Sequence, residues 1–299
     1  MIKFDKITLE DKAWITQKMK EDDRRGCESS FSNNFIWRDV YQVEVANLQD
    51  CCVIRFDADG DDCLSFPIGN GDKKRAVEAL MEDARERNKV LQFENILEED
   101  KQLLEEWFPE KFQIQENRDS FDYIYTTEKL STLAGKKLHG KRNHINRFLE
   151  NANWTYEPMT EENKYDCLKM NYSWCDRKSC KWNEGMEDEF CAVKEAVEHF
   201  SELDFVGGVL RVDGEIVAFT IGEPLNSDTF VVHIEKAFPD IQGAYPMINQ
   251  QFVQHECQNY QYVNREDDTG EEGLRKAKLS YYPDILLEKY TATMVNTIE

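Results

Sequence analysis

The 299-residue chain is twice the length of a typical domain, and 40% hydrophobic residues with 12% aromatics suffice for two packed cores, which excludes a disordered chain. Its 37 Lys and Arg against 59 Asp and Glu leave a formal charge of -22, which excludes a generic surface for nucleic acid or anionic lipid. No window approaches about 18 uninterrupted apolar residues, and residues 1–12 are charged throughout, so neither a membrane-spanning helix nor a signal peptide is expected and the chain reads as cytoplasmic.

Thr8, Leu9, Glu10 and Asp11 form a capping-box pattern that opens a helix over residues 8–20, closed by the charged stretch 22–26 with its final glycine. Residues 29–39 place Phe31, Phe35 and Trp37 near one helical face. Strands at 41–48 and 51–57 make a hairpin across Gln49 and Asp50, and a third strand, 63–68, reaches Gly69, Asn70 and Gly71 before a helix over 72–88. A strand at 90–94, a helix at 98–108 and a closing hairpin of 112–117 with 120–126 complete this half.

Residues 136–147 carry Lys136, Lys137, Lys141, Arg142 and Arg147, with His139 and His144, and no acid. Setting those five positive charges aside leaves -27 on the remainder, so the segment inverts the field locally. It predicts either a linker helix paired with acidic flanks or a site for a phosphate, a nucleotide or a tRNA end.

Beyond it the order of elements repeats at an offset of about 170 residues, the signature of a duplicated fold. A strand at 154–159 and helices at 161–174 and 187–200 precede a hairpin of 206–211 with 215–222, turning on Val212, Asp213 and Gly214. A strand from Thr229, a turn with Pro239, Gly243 and Pro246, a helix to Cys257, a strand at 260–264, a short helix at 271–278 and final strands follow. Gly71 answers Gly243, residues 91–93 answer 260–262, and Phe112 answers Tyr281. The expected domains are 1–134 and 151–299, joined by a basic connecting helix over 135–150.

A strand that passes through a glycine turn into a helix aims unpaired N–H groups past the strand end, which suits an anion or an acyl carbonyl. Glu235 near the end of that strand, and Asp267 and Asp268 after the neighbouring strand, bring carboxylates to the gap between the two. Arg275 offers a charged fork for a carboxylate or phosphate, and Lys278 and Tyr281 lie on the same stretch. Equally, Asp267 and Asp268 can cap the short helix and pair with Arg275. His233 reads as packed within its strand. Trp174, Trp182 and Tyr172 are candidates for an acyl pocket, and the other tryptophans for core or domain contacts. Nine cysteines without a C-x-x-C pair predict reduced, mostly buried thiols, and Cys175, Cys180, His199 and His233 match no zinc spacing, so no metal is expected.

The order hairpin, third strand, glycine turn, helix, strand, short helix and final strands resembles the GNAT acyltransferase fold. The segments KKLHGKRNHINRF (136–148) and NREDDTGEEGLRKAKLSYYP (264–283) resemble the C-terminal domain of phosphatidylglycerol lysyltransferases and a related family of tandem GNAT-like proteins. The resemblance covers most of the chain and implies an α+β fold of two tandem GNAT-like domains, each a mixed, mainly antiparallel sheet flanked by helices. It implies acyl or aminoacyl transfer, with an aspartate and an arginine of the 264–283 motif in the aminoacyl site and the basic segment facing the cleft; joined to the reading of the residues, this makes Glu235 and Asp268 the expected catalytic residues and Asp267, Arg275, Lys278, Tyr281, Gly243, Lys141, Arg142 and His144 the expected substrate-binding ones. The implied donor is aminoacyl-tRNA, with tRNA on the 136–147 segment, or acyl-CoA. The lysyltransferases carry membrane helices and modify lipid, whereas this chain has no such helix and is acidic, which leaves the acceptor open. In the Q/R-x-x-G-x-G/A loop of CoA-binding GNAT enzymes, this chain keeps Gly243 but sets Asp240 at the first position and Pro246 just beyond, which disfavours a diphosphate. An acetyl-CoA-dependent N-acyltransferase and a non-catalytic module that binds a small molecule or nucleotide are the alternatives.

Overall fold

The computed structural model describes residues 1–58, 60–177 and 184–295, the side chains of 175–186 excepted. Its first strands are β1 (Asp5–Lys6), β2 (Glu44–Leu48), β3 (Cys51–Ala58), β4 (Asp61–Leu64), β5 (Gln92–Ile96) and β6 (Phe112–Glu116). Then come β7 (Asp122–Thr126), β8 (Trp154–Pro158), β9 (Val206–Val212), β10 (Glu215–Pro224), β11 (Thr229–Ala237), β12 (Tyr262–Asn264), β13 (Ile285–Leu287) and β14 (Tyr290–Met294). They form two seven-stranded sheets, ordered β1-β2-β3-β4-β5-β14-β6 and β13-β7-β12-β11-β10-β9-β8. β4 with β5 and β11 with β12 pair in parallel; the other registered pairs are antiparallel.

Chain contacts divide the molecule into two compact units, one of Met1–Asp122, Asp267–Glu272 and the stretch from Leu286 onward, the other of Tyr123–Glu266 and Gly273–Ile285. The bounds differ from a linear split at 134 and 151 because strands are exchanged. The stretches 112–117 and 120–126 do not close a hairpin: β6 pairs with β14, and β7 with β12. Burial explains the separation. β6 is half polar and holds the edge of the first sheet, whereas Asp122–Tyr125 of β7 is buried throughout and sits inside the second.

In the first unit the capping box forms, with Asp11 accepting from the Thr8 N–H at 2.9 Å, and α1 (Lys12–Asp22) ends on Asp23 in the left-handed region. After α2 (Phe31–Ile36), α3 (Lys73–Glu86) starts on Asp72, which accepts from the Arg75 N–H. Its residues Ala76, Val77, Leu80, Met81 and Ala84 keep helical spacing and join Val53, Phe66, Phe93 and Ala292 in one core, with Leu104 of α4 (Glu98–Trp107) beside them.

In the second unit, α5 (Thr127–Thr132) and α6 (His139–Asn151) precede the sheet, α7 (Lys164–Arg177) and α8 (Glu184–Glu198) follow β8, α9 (Ala244–Glu256) follows β11, and α10 (Glu272–Leu279) precedes β13. The β9–β10 hairpin turns on Asp213 and Gly214, both at positive φ. α9 buries Met247, Ile248, Phe252 and Val253. A mismatch in strand length opens a gap in this sheet: β12 pairs with β11 only from Thr229 to Val231, and β11 continues without it to Ala237. β5 and β12 lie in separate sheets, as duplication requires. No helix among the described residues is long and apolar enough to cross a membrane.

Candidate functional site

Beyond the last β11–β12 pair the strand carries His233 and Glu235, two residues apart and hence on one face, while Arg265 and Glu266 follow β12. Arg265 Nη2 donates to Glu235 Oε1 at 2.7 Å, and Asn249 Nδ2, from α9, donates to Oε2 at 2.8 Å. Both oxygens of a carboxylate only 13% exposed are thereby satisfied. Arg265 Cζ stands 4.8 Å from the centre of the Tyr281 ring, which meets Tyr125 edge-on at 6.2 Å. Burial opposes the guanidinium charge, but Glu235 and the rings outweigh it, so Arg265 stays charged.

Lys278 Nζ donates to the Arg265 carbonyl at 2.6 Å, and the Tyr125 hydroxyl donates to the Lys278 carbonyl at 2.7 Å, so the tail motif encloses Arg265. Lys141, from α6, places Nζ 4.0 Å from the Tyr281 ring centre. Burial and the Arg265 charge pull its pKa down to about 8, with Glu235 opposing them. Burial pushes the Tyr281 hydroxyl up to about 12.

A second polar group shares the gap. His233 Nδ1 lies 2.7 Å from Glu266 Oε1 and Nε2 lies 3.0 Å from Glu223 Oε1, with the edge of Phe205 against the ring. Burial alone would favour neutral imidazole, but the hydrogen bonds and charges of the two carboxylates raise the pKa to about 9, and both nitrogens donate as imidazolium. In the sequence, one histidine among valines shows neither partner, so His233 reads there as a packed strand residue. The adjoining Arg265 and Glu266, just before the two aspartates, were the available signal.

The other expected site residues fall as follows. Gly243 caps α9 at φ 88°, where a Cβ would stand 2.4 Å from the His144 carbonyl oxygen, so the glycine lets the α6 backbone approach. The His144 side chain is exposed. Arg142 Nη1 donates to the carbonyls of Leu133 and Gly135, securing the turn before α6. Of the basic segment, Lys141 is the residue that meets the Glu235–Arg265 cluster. Asp267 and Asp268 belong to the first unit, where Asp268 is fully buried, accepts from the Gly270 N–H at 3.0 Å and has Arg118 Nη1 at 3.4 Å. Asp267 accepts from the Thr269 N–H at 3.2 Å, so both aspartates shape the turn before α10. Arg275 is half-buried on α10.

Trp174 Nε1 donates to the Ala237 carbonyl at 2.8 Å beneath Lys236, and the Tyr172 ring meets that of Phe190 at 4.4 Å, tilted by 50°. Trp182, Cys180 and the Cys175 side chain lie outside the described residues. Among those described, Cys27, Glu28 and Asp122 bring ligand-type atoms within 4.8 Å of one another, and the Lys289 ammonium already supplies a cation there, 2.7 Å from Asp122 and 2.6 Å from Glu28.

Comparison with known proteins places the chain in a family. The sequence model described as phosphatidylglycerol lysyltransferase, C-terminal, matches residues 20–293. A conserved protein of unknown function from Bacteroides thetaiotaomicron shares 42% identity and superposes with a TM-score of 0.94, over 99% of this chain and 100% of that one. L-PGS from Bacillus licheniformis shares the fold at 18% identity and a TM-score of 0.69, over 99% and 94% of the two chains. A tandem GNAT protein from the clavulanic acid biosynthesis pathway does so at 6% identity and 0.50, over 98% of each. An uncharacterised protein of Mycoplasmoides gallisepticum is 24% identical over 200 residues, which span 64% of this chain and 62% of that protein. On the match over nearly its whole length, the chain belongs to the phosphatidylglycerol lysyltransferase C-terminal family and carries its tandem GNAT-like fold.

Proposed function

We propose that this chain transfers an acyl group, most simply an aminoacyl group from aminoacyl-tRNA, and that the transfer takes place in the second unit where β11 and β12 part. The observation that carries the reading is that gap, faced by Glu235 in the grip of Arg265 and Asn249 and by His233 between two carboxylates. Backbone N–H groups of β11 left without a strand partner can hold an ester carbonyl and the oxyanion that develops from it. An acceptor amine or hydroxyl attacks the carbonyl carbon, its proton passes to Glu235, and Glu235 returns that proton to the departing oxygen of the donor as the C–O bond breaks, leaving the donor's free hydroxyl. Arg265 and Asn249 fix the Glu235 oxygens for that task, and Lys141, Lys278 and Tyr281 surround the donor.

Family membership supports aminoacyl transfer. An acyl-CoA donor is disfavoured by the turn before α9, where the His144 carbonyl packs on Gly243 and Asp240 would face a diphosphate. Such a donor locates the activity in the cytoplasm. The acceptor is a lipid headgroup or a small amine, and the test separates them. Full-length protein is incubated with tRNAs charged with radiolabelled amino acids, with either phosphatidylglycerol vesicles or soluble amines, and label is followed into each. Transfer should fall roughly a hundredfold to a thousandfold in Glu235→Gln, with the circular-dichroism spectrum unchanged. Aminoacyl esters that survive as long with the protein as in buffer, for every amino acid and both acceptors, would overturn the proposal.

A further inference from the structure

Two cations share one aromatic ring at the gap, and one carboxylate answers them. Lys141 Nζ and Arg265 Cζ stand 4.0 and 4.8 Å from the centre of the Tyr281 ring, while Glu235 is committed to Arg265 and Asn249. Among the described residues, no oxygen accepts from Lys141 Nζ. Two neighbouring atoms are also unsatisfied: Arg265 Nη1 is buried without a partner, and Asn249, 2% exposed, leaves Oδ1 unpartnered. A half-buried cluster with surplus positive charge in a chain of -22 is missing an anion.

We propose that Lys141 and Arg265 form a docking site for a compact oxyanion, a phosphate or carboxylate group of the bound substrate, with Lys141 Nζ donating to it and Arg265 supplying the second charge. This rests on reading the gap as a substrate site. The Asn249 oxygen adds an acceptor suited to a ligand that also carries a proton, such as hydrogen phosphate or a carboxylate beside an ammonium. The lowered Lys141 pKa fits a lysine that faces Arg265 with only Glu235 to offset it, and an anion restores the ammonium.

The test is calorimetric titration of the full chain with inorganic phosphate and, separately, with acetate and glycine, chloride holding ionic strength constant. Phosphate alone binding identifies a phosphate-bearing substrate; acetate or glycine binding identifies a carboxylate. Lys141→Met, which keeps the aliphatic stem on Tyr281, should weaken the binding anion about tenfold or more, whereas Lys169→Met, at an exposed position of α7, should leave it unchanged. Wild-type affinity should also be about tenfold weaker at pH 9 than at pH 7 as Lys141 loses its proton. No binding by any of the anions, equal binding by Lys141→Met, or a pH-independent affinity each overturns the inference. Anion binding without aminoacyl transfer leaves it standing and removes the proposed activity; transfer without anion binding does the reverse.

Discussion

An imidazolium held between two carboxylates ties folding to pH through His233. Its pKa of about 9 lies above the unfolded value, so its stabilisation is complete below about 6.5 and is lost as pH rises through about 9. The difference corresponds to roughly 3 kcal/mol. Urea midpoints should fall between pH 6.5 and 9.5, and His233→Gln should flatten that slope; parallel slopes would show that Glu223 and Glu266 do not hold the proton. Lys289 makes a parallel case, a cation with no exposure at all against Asp122, equally buried. Lys289→Met removes the buried counter-ion of that carboxylate, leaving it the Cys27 N–H, and should cost about 3 to 5 kcal/mol in urea unfolding, with partial recovery when Asp122→Asn is added. An unchanged midpoint would mean that water reaches Asp122.

At the level of elements, Gly243 decides how closely α6 approaches α9. Gly243→Ala combines a left-handed backbone with a Cβ driven against the His144 carbonyl, and should lower stability by about 1 to 3 kcal/mol or more. A thermal midpoint within a degree of wild type would show that α6 yields. That contact also marks where local signals stop. The capping box at Thr8, the Asp213-Gly214 hairpin and the glycine turn before α9 were legible because each is encoded within a few residues. The assignment of β6 and β7 to different sheets was not, because two five-residue strands joined by 117–121 look like a hairpin until the late β14 claims β6. The place of Glu235 near the end of β11 was legible from the strand pattern. The partners of His233 were hidden because Glu223 and Glu266 reach it only through sheet register, and the Arg265–Glu235 pair because it too spans two strands. The division 1–134 and 151–299 followed the order of elements, while the units follow strand exchange.

For the whole molecule, exchange means that neither half of the sequence encodes a complete unit. A fragment of residues 1–134 lacks β14 and leaves β5 and β6 with bare edges; a fragment of 151–299 lacks β7, the antiparallel partner of β12. Neither fragment alone should show a cooperative thermal transition by calorimetry, and a sharp transition from 1–134 would show that the first sheet closes without its late strand. The same topology sets an order of events during synthesis. Ribosomes add about 5 to 20 residues per second, so the β5 and β6 edges of a nascent chain wait roughly 10 to 35 seconds for β14 to be made. During that interval the first sheet is an open template for any extended segment, and ribosome-bound chains arrested near residue 280 should bind a holdase chaperone and release it only once Met294 has emerged.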